Sequence, residues 1–195
     1  MSRTSGRWTG PHPQPRSRSY WRWVGFAAPV IFLVGLVALS VVNGPTPKEP
    51  GVAPDFELTT FDGLNVSLSE TLAEGDTLLY FSMGVGCDGC FAQIPELEAA
   101  VADRSLNLLP IMVDPGPLVA AEAARFGIQT PILLDPGGVV SSAYGMVGVY
   151  GHGDRPSHSF ALVRESGEIA WIRHYAEMFV PSDTLFNEMD QAVGA

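Results

Sequence analysis

Apolar residues fall into two regimes along this chain. From Trp23 to Val42 (WVGFAAPVIFLVGLVALSVV) no charged side chain interrupts them, and a run of about 20 residues matches one bilayer crossing at helical rise. Tyr20, Trp21 and Trp23 stand at its start, where interfacial aromatics gather, so the pattern predicts a transmembrane helix over 23–42. A cleaved signal peptide is the competing reading, with Ala38-Leu39-Ser40 as its small-residue cleavage site. Residues 1–22 hold prolines, serines, glycines and the arginines 3, 7, 16, 18 and 22 without an acid, which predicts a disordered cytoplasmic tail. Residues 43–54 (NGPTPKEPGVAP) predict an extended Pro/Gly linker.

Beyond residue 54 the apolar positions come in short runs between polar turns. Asp55 to Gly63 alternates and then turns at Asp62-Gly63, which predicts a hairpin with Leu64–Leu68. Ser69 is placed to cap a brief helix through Leu72. Thr77–Ser82 reads as a strand, followed by a glycine-loosened turn and a helix that begins at or next to Cys87. Pro95 falls inside that helix, where it removes one backbone bond and predicts a kink. A strand at Leu106–Val113, a helix at Pro117–Phe126 ended by Gly127, a strand at Ile132–Leu134 and a short helix around Val139–Tyr144 come next. A glycine-rich loop over 145–153 precedes Pro156. The strands Ser159–Arg164 and Glu168–His174 then turn at Glu165-Ser166-Gly167, and a last helix runs from Ser182 to about Val193. This order predicts one α/β domain over 55–195, with helices flanking a mixed sheet.

Charge separates the two regimes further. Of the 11 Lys and Arg, six lie in the first 50 residues, with one of the 21 acids. Residues 51–195 therefore hold 5 basic and 20 acidic side chains. So acidic a domain excludes nucleic-acid binding through phosphate contacts. The arginines ahead of the apolar run predict a single-pass protein of the cytoplasmic membrane, N-terminus inside and domain outside. No cysteine follows the run at its end, which excludes a lipid-modified cysteine anchor.

Only two cysteines exist, Cys87 and Cys90. At that spacing on the first turn of a helix they can close a small disulfide and open it again. Unpaired backbone N–H groups and the helix dipole favour a thiolate there, and the thiolate is the nucleophile of thiol–disulfide exchange. Three other readings stay open. A structural bridge closes too short a loop to constrain the unfolded chain much. Two thiolates with a histidine suit copper or zinc, and His152, His158 and His174 are available, His158 being best placed. A peroxidatic Cys87 resolved by Cys90 is the third. Met83, Tyr80, Phe81 and Phe91 read as core or as a rim around the sulfurs, and Glu96 and Glu98 as a solvated helix face.

Taken in order, several motifs point to a family. They are Ala53-Pro54-Asp55-Phe56, Cys87-Asp88-Gly89-Cys90 after a strand, and Pro95 five residues past the second cysteine. Leu134-Asp135-Pro136-Gly137-Gly138 ahead of Ala143-Tyr144-Gly145, and Pro156 before a strand, complete the set. Over about 52–195 the chain resembles membrane-anchored thioredoxin-like proteins of the TlpA/ResA and AhpC/TSA (redoxin) type. The resemblance implies a thioredoxin-like fold, Cys87 as the attacking cysteine, Cys90 as the resolving one, and Pro156 as a cis-proline beside them, with Pro131 as its rival. It implies protein disulfides as substrates, a membrane thiol carrier as electron donor, and no organic cofactor. Sco-type copper chaperones share the fold but place three residues between the cysteines. Peroxidatic cysteines usually follow a Pro and a Thr, which Phe81–Gly86 lacks. Thioredoxins commonly carry a Trp before the first cysteine, Gly-Pro between the two and a buried acid on the preceding strand. Gly86, Asp88-Gly89 and Tyr80 stand there instead. Asp88 puts a negative charge beside the thiolate, which predicts a raised Cys87 pKa and a reducing role.

Overall fold

The structure, a computed structural model, describes residues 51–194. The predicted tail (1–22), transmembrane helix (23–42) and most of the linker (43–54) lie outside the described residues. Among the described residues no helix is long and apolar enough to cross a membrane.

The chain order is β1 (Glu57–Thr60), β2 (Asn65–Ser67), α1 (Leu68–Leu72), β3 (Thr77–Phe81), α2 (Asp88–Ala102), β4 (Asn107–Met112), α3 (Gly116–Phe126), β5 (Leu133–Leu134), α4 (Val139–Ala143), β6 (His158–Val163), β7 (Ile169–Tyr175) and α5 (Ser182–Val193). The strands form one sheet in the order β2-β1-β5-β4-β3-β6-β7. The parallel trio β5-β4-β3 lies in the middle, with antiparallel pairs on either side. Among the described residues the predicted elements are all present, displaced by a residue or two at their ends. One cap is corrected: Ser67, not Ser69, accepts the Glu70 N–H at the start of α1. Ser69 lies within the helix instead, its own N–H bound to Asp55.

Period-2 alternation along β3 sorts its side chains onto two cores. Leu78 and Tyr80 pack with Phe91, Ile94 and Leu97 of α2, Val119 and Ala123 of α3, and Leu185, Phe186 and Met189 of α5. Leu79 and Phe81 face the other way, toward Ala53, Phe56, Leu68, Leu72, Tyr144 and Met146. Every residue of β3 is buried, because the strand is paired on both edges and covered on both faces. Helix α2 runs unbroken from Asp88 to Ala102 with Pro95 inside it. Pro95 brings no N–H for the Phe91 carbonyl, a loss the tertiary packing of Ile94 and Leu97 absorbs.

Leu97 is fully buried where α2 meets the sheet. Leu97→Ala is expected to cost about 2–5 kcal/mol, read as a lowered urea midpoint at unchanged slope.

Candidate active site

β3 ends in the loop Ser82–Gly86, which delivers Cys87 to the start of α2. Cys87 is the N-cap, with extended backbone (φ −116°, ψ 90°), and its sulfur accepts the Cys90 N–H at 3.2 Å. The two cysteines are joined in a disulfide with Cα atoms 5.3 Å apart. Cys87 is 6% exposed and Cys90 is sealed. Of the two, Cys87 is the less enclosed, the order that an attacking and a resolving cysteine need. The N–H aimed at the Cys87 sulfur, with the helix dipole behind it, is the arrangement that stabilises a thiolate.

The loop is held by a clamp that sequence reading missed. Asp114, at the carboxyl end of β4, is buried and accepts the Val85 N–H at 2.9 Å. It also pairs with both terminal nitrogens of Arg155 at 2.9 and 3.0 Å, while Arg155 donates to the Met83 carbonyl at 2.6 Å. Gly84 makes the close approach feasible. Its φ is +77°, and a Cβ there would lie 1.9 Å from the Asp114 carboxylate. The signal available in the sequence was an acid at the end of a central parallel strand, where α/β folds gather functional groups, and one of only five basic residues in the domain.

A second missed feature lies over the first turn of α2. Residues 176–181, the connection from β7 to α5, form a strap whose Met178 carbonyl sits against Gly89. A Cβ at Gly89 would meet that oxygen at 2.7 Å. Gly89 between the cysteines is thus required by packing. The strap is tied down by Val180 N–H to Gln93 Oε1 (2.7 Å) and Ser182 N–H to Glu96 Oε2 (3.4 Å). Glu98 accepts the Gln129 and Thr130 N–H groups at 2.8 and 2.6 Å. Glu96 is exposed and Glu98 half-buried, so the helix face is solvated as expected, and both carboxylates also accept backbone N–H groups of neighbouring segments.

Asp88 is exposed and paired with Arg125 of α3, whose guanidinium holds its carboxyl below the usual range. Arg125 also bonds Glu122 and lies 4.2 Å over the Phe126 ring. Arg125 is thus shared between the Asp88 and Glu122 carboxylates.

Pro156 is trans, since no cis peptide bond occurs among the described residues, and the same holds for Pro131. Pro156 pairs with Val147 in an isolated bridge, and the following Ser157 N–H goes to the Met146 carbonyl at 3.0 Å. Internal pairing with the 145–153 loop takes up this backbone, so the expected cis-proline geometry is corrected.

His158 is fully buried at the start of β6 and lies in a polar chain beneath the cysteines. Its Nδ1 is 2.9 Å from the Tyr80 hydroxyl, which also donates to the Cys90 carbonyl at 3.0 Å. Its Nε2 is 3.3 Å from Gln93 Oε1. With both ring nitrogens engaged, His158 does not complete a metal site with the cysteines. No group of three or more His, Cys, Asp and Glu among the described residues could hold a metal ion. Burial lowers the His158 pKa to about 3 and raises that of Tyr80. His174, also lowered by burial, bonds Ser159 at 2.8 Å, and His152 lies in the loop before Arg155.

Comparison with known proteins follows this geometry. The AhpC/TSA family matches residues 51–172. No curated protein matches the chain by sequence. Among solved structures the chain is similar to the peroxidoxin BcpB of Mycobacterium tuberculosis, at TM-score 0.62 and 21% identity over 75% of this chain and 98% of that one. It is similar to a putative protein disulfide isomerase of Bacteroides thetaiotaomicron (TM-score 0.55, 24% identity, 74% and 89% covered). A secreted Mycobacterium tuberculosis disulfide oxidoreductase homologous to E. coli DsbE is a third (TM-score 0.55, 18% identity, 70% and 95% covered). At these identities the likeness establishes a thioredoxin-like fold.

Gly89→Ala is expected to push the Met178 carbonyl off the helix, costing about 1–3 kcal/mol. Alkylation of Cys87 in the reduced protein should speed up; an unchanged rate and urea midpoint would show that the strap is not seated there. His158 generates a pH prediction. Its folded pKa lies below its unfolded one, so protons favour the unfolded chain between pH 6.5 and about 3. Stability is therefore expected to fall as pH drops below about 6.5, and His158→Gln should flatten that fall between pH 6.5 and 5, above the range where carboxylates titrate. Urea midpoints across pH check this.

Proposed function

The chain belongs to the AhpC/TSA family, and from that premise we propose that it is a thiol–disulfide oxidoreductase working through the Cys87–Cys90 pair. The observation that carries this reading is the bonded pair at the tip of α2, in which Cys87 keeps a slight exposure and Cys90 has none. In the reducing direction the Cys87 thiolate attacks a partner disulfide, forming a mixed disulfide and expelling one partner sulfur as thiolate. Cys90, deprotonated, then attacks the Cys87 sulfur and expels the second partner thiolate. The partner gains two electrons and, from solvent, two protons, and the pair is left oxidised. A thiol donor must then reduce it again. Asp114 and Arg155 hold the loop that aims Cys87, and Met178 and Gly89 set the surface next to it.

We place this chemistry outside the cytoplasmic membrane, fed by a membrane thiol carrier. The uncharged run 23–42 and the arginines before it support that placement. Family membership favours a second reading, thiol peroxidase, with the same residues. There the Cys87 thiolate takes one peroxide oxygen to become a sulfenic acid and releases an alcohol or water. Cys90 condenses with it, losing water and forming the same disulfide.

Disulfide reduction on insulin, with dithiothreitol as donor, is expected to be abolished by Cys87→Ser and to fall at least tenfold in Asp114→Asn, whose loop clamp is weakened. Thiol-dependent peroxide consumption measured on the same samples separates the readings. Peroxide turnover without insulin reduction would sink the oxidoreductase reading in favour of the peroxidase.

A further inference from the structure

Gln93 is fully buried on α2, one turn beyond Cys90. Its Oε1 accepts the Val180 N–H at 2.7 Å and lies 3.3 Å from His158 Nε2. The Val180 N–H can only donate, so the Gln93 atom facing it is the oxygen, which fixes the orientation of the amide. The amide nitrogen, Nε2, has no hydrogen-bond partner. A buried donor left in this state costs free energy of the order of a lost hydrogen bond.

What could receive it is set by the helix. Residues three apart on a helix are surface neighbours, and side chains lean toward the helix N-terminus, so Gln93 reaches back over the turn that holds Cys90. The polar chain returns to the same turn from below, through Tyr80 to the Cys90 carbonyl. In the disulfide the position of the Cys90 sulfur is fixed by its bond to Cys87. Opening that bond with a partner dithiol moves two electrons and two protons onto the pair and leaves the partner as a disulfide. The Cys90 sulfur then becomes a freely rotating thiol or thiolate, a better acceptor than a disulfide sulfur.

We propose that Gln93 is a positioning residue for the redox pair, whose spare amide N–H takes the Cys90 sulfur as acceptor once the Cys87–Cys90 bond opens. The dithiol form is then the better hydrogen-bonded of the two, and the couple is more oxidising than the bare dithiol would be. This rests on the reading of Cys87 and Cys90 as a reversible pair. It adds a consequence for the strap, because the oxygen of the same amide holds Val180. The residue that senses the state of Cys90 also ties down the segment lying on Gly89.

The test equilibrates the full-length chain against a series of reduced and oxidised glutathione mixtures and counts thiols by maleimide mass tagging after acid quench. Gln93→Met keeps the volume and removes the donor. Its dithiol–disulfide equilibrium is expected to shift about tenfold toward the disulfide, about 30 mV for a two-electron couple. A purely structural Gln93 would weaken both redox forms alike and leave the equilibrium unmoved, and that result would overturn the proposal. Should Gln93→Met fail to fold, the wild-type chain supplies the second readout. The Gln93 side-chain ¹⁵N amide signals should shift and exchange more slowly with water on reduction; identical signals in both states would overturn it. A pair that no glutathione ratio opens would sink the oxidoreductase reading as well, whereas a reversible pair indifferent to Gln93→Met sinks this inference alone.

Discussion

Strand β3 is hydrogen-bonded to a neighbour along each edge and buried on each face, and this double constraint decides where the sulfur pair sits. A strand held on four sides cannot slide by a residue without turning every side chain to the wrong core. Its carboxyl end is therefore a fixed point, and the five residues from Ser82 to Gly86 deliver Cys87 from it to the tip of α2. The parallel partner β4 ends beside it and supplies Asp114 to the loop at the place where the register puts it. β5 ends with Asp135, which caps α4 through the Val140 and Ser141 N–H groups. Each parallel strand thus finishes in a buried acid or a cysteine loop.

Two kinds of polar burial surround the pair. Above it, Asp114 shares a charged bidentate bond with Arg155 and satisfies Val85, so removing either partner leaves a charge stranded next to the loop. Beneath it, Tyr80, His158 and Gln93 occupy an otherwise apolar core among Phe160, Tyr175 and Ile94. Tyr80 stacks on Phe160 at 4.8 Å and meets the His158 ring edge-on. The rings position the hydroxyl and imidazole, which keep one another satisfied without a net charge. A neutral network tolerates burial where a carboxylate on β3 would demand a counter-charge.

The same backbone frame serves proteins described as a peroxidoxin and as a disulfide oxidoreductase, so the frame alone does not select the chemistry. Selection lies in what surrounds the sulfurs: how far Cys87 is exposed, what holds its loop, and which segment crosses Gly89. In this chain the strap from β7 to α5 lies against Gly89, between the two cysteines in sequence. Arg125 pairs with Asp88 and with Glu122 beside it.

Periodicity and turn chemistry determined the element order, the α/β class and the start of α2 at the cysteines, since each of these is local. Strand alternation and the spacing of Cys87 and Cys90 are visible in a handful of consecutive residues. Asp114, Arg155, Met178 and Gln93 were not legible in this way, because each acts on a residue tens of positions distant and carries no local pattern. The partners of Glu96 and Glu98 were hidden for the same reason: the solvated face was legible from composition, but only the fold brings 127–130 and 180–182 to those carboxylates. The trans state of Pro156 likewise belongs to the fold, which pairs Pro156 with Val147 and Ser157 with Met146. Sequence set which atoms could exchange electrons; tertiary packing decided what touches them, because hydrogen-bond partners across a sheet are chosen by register and not by order along the chain.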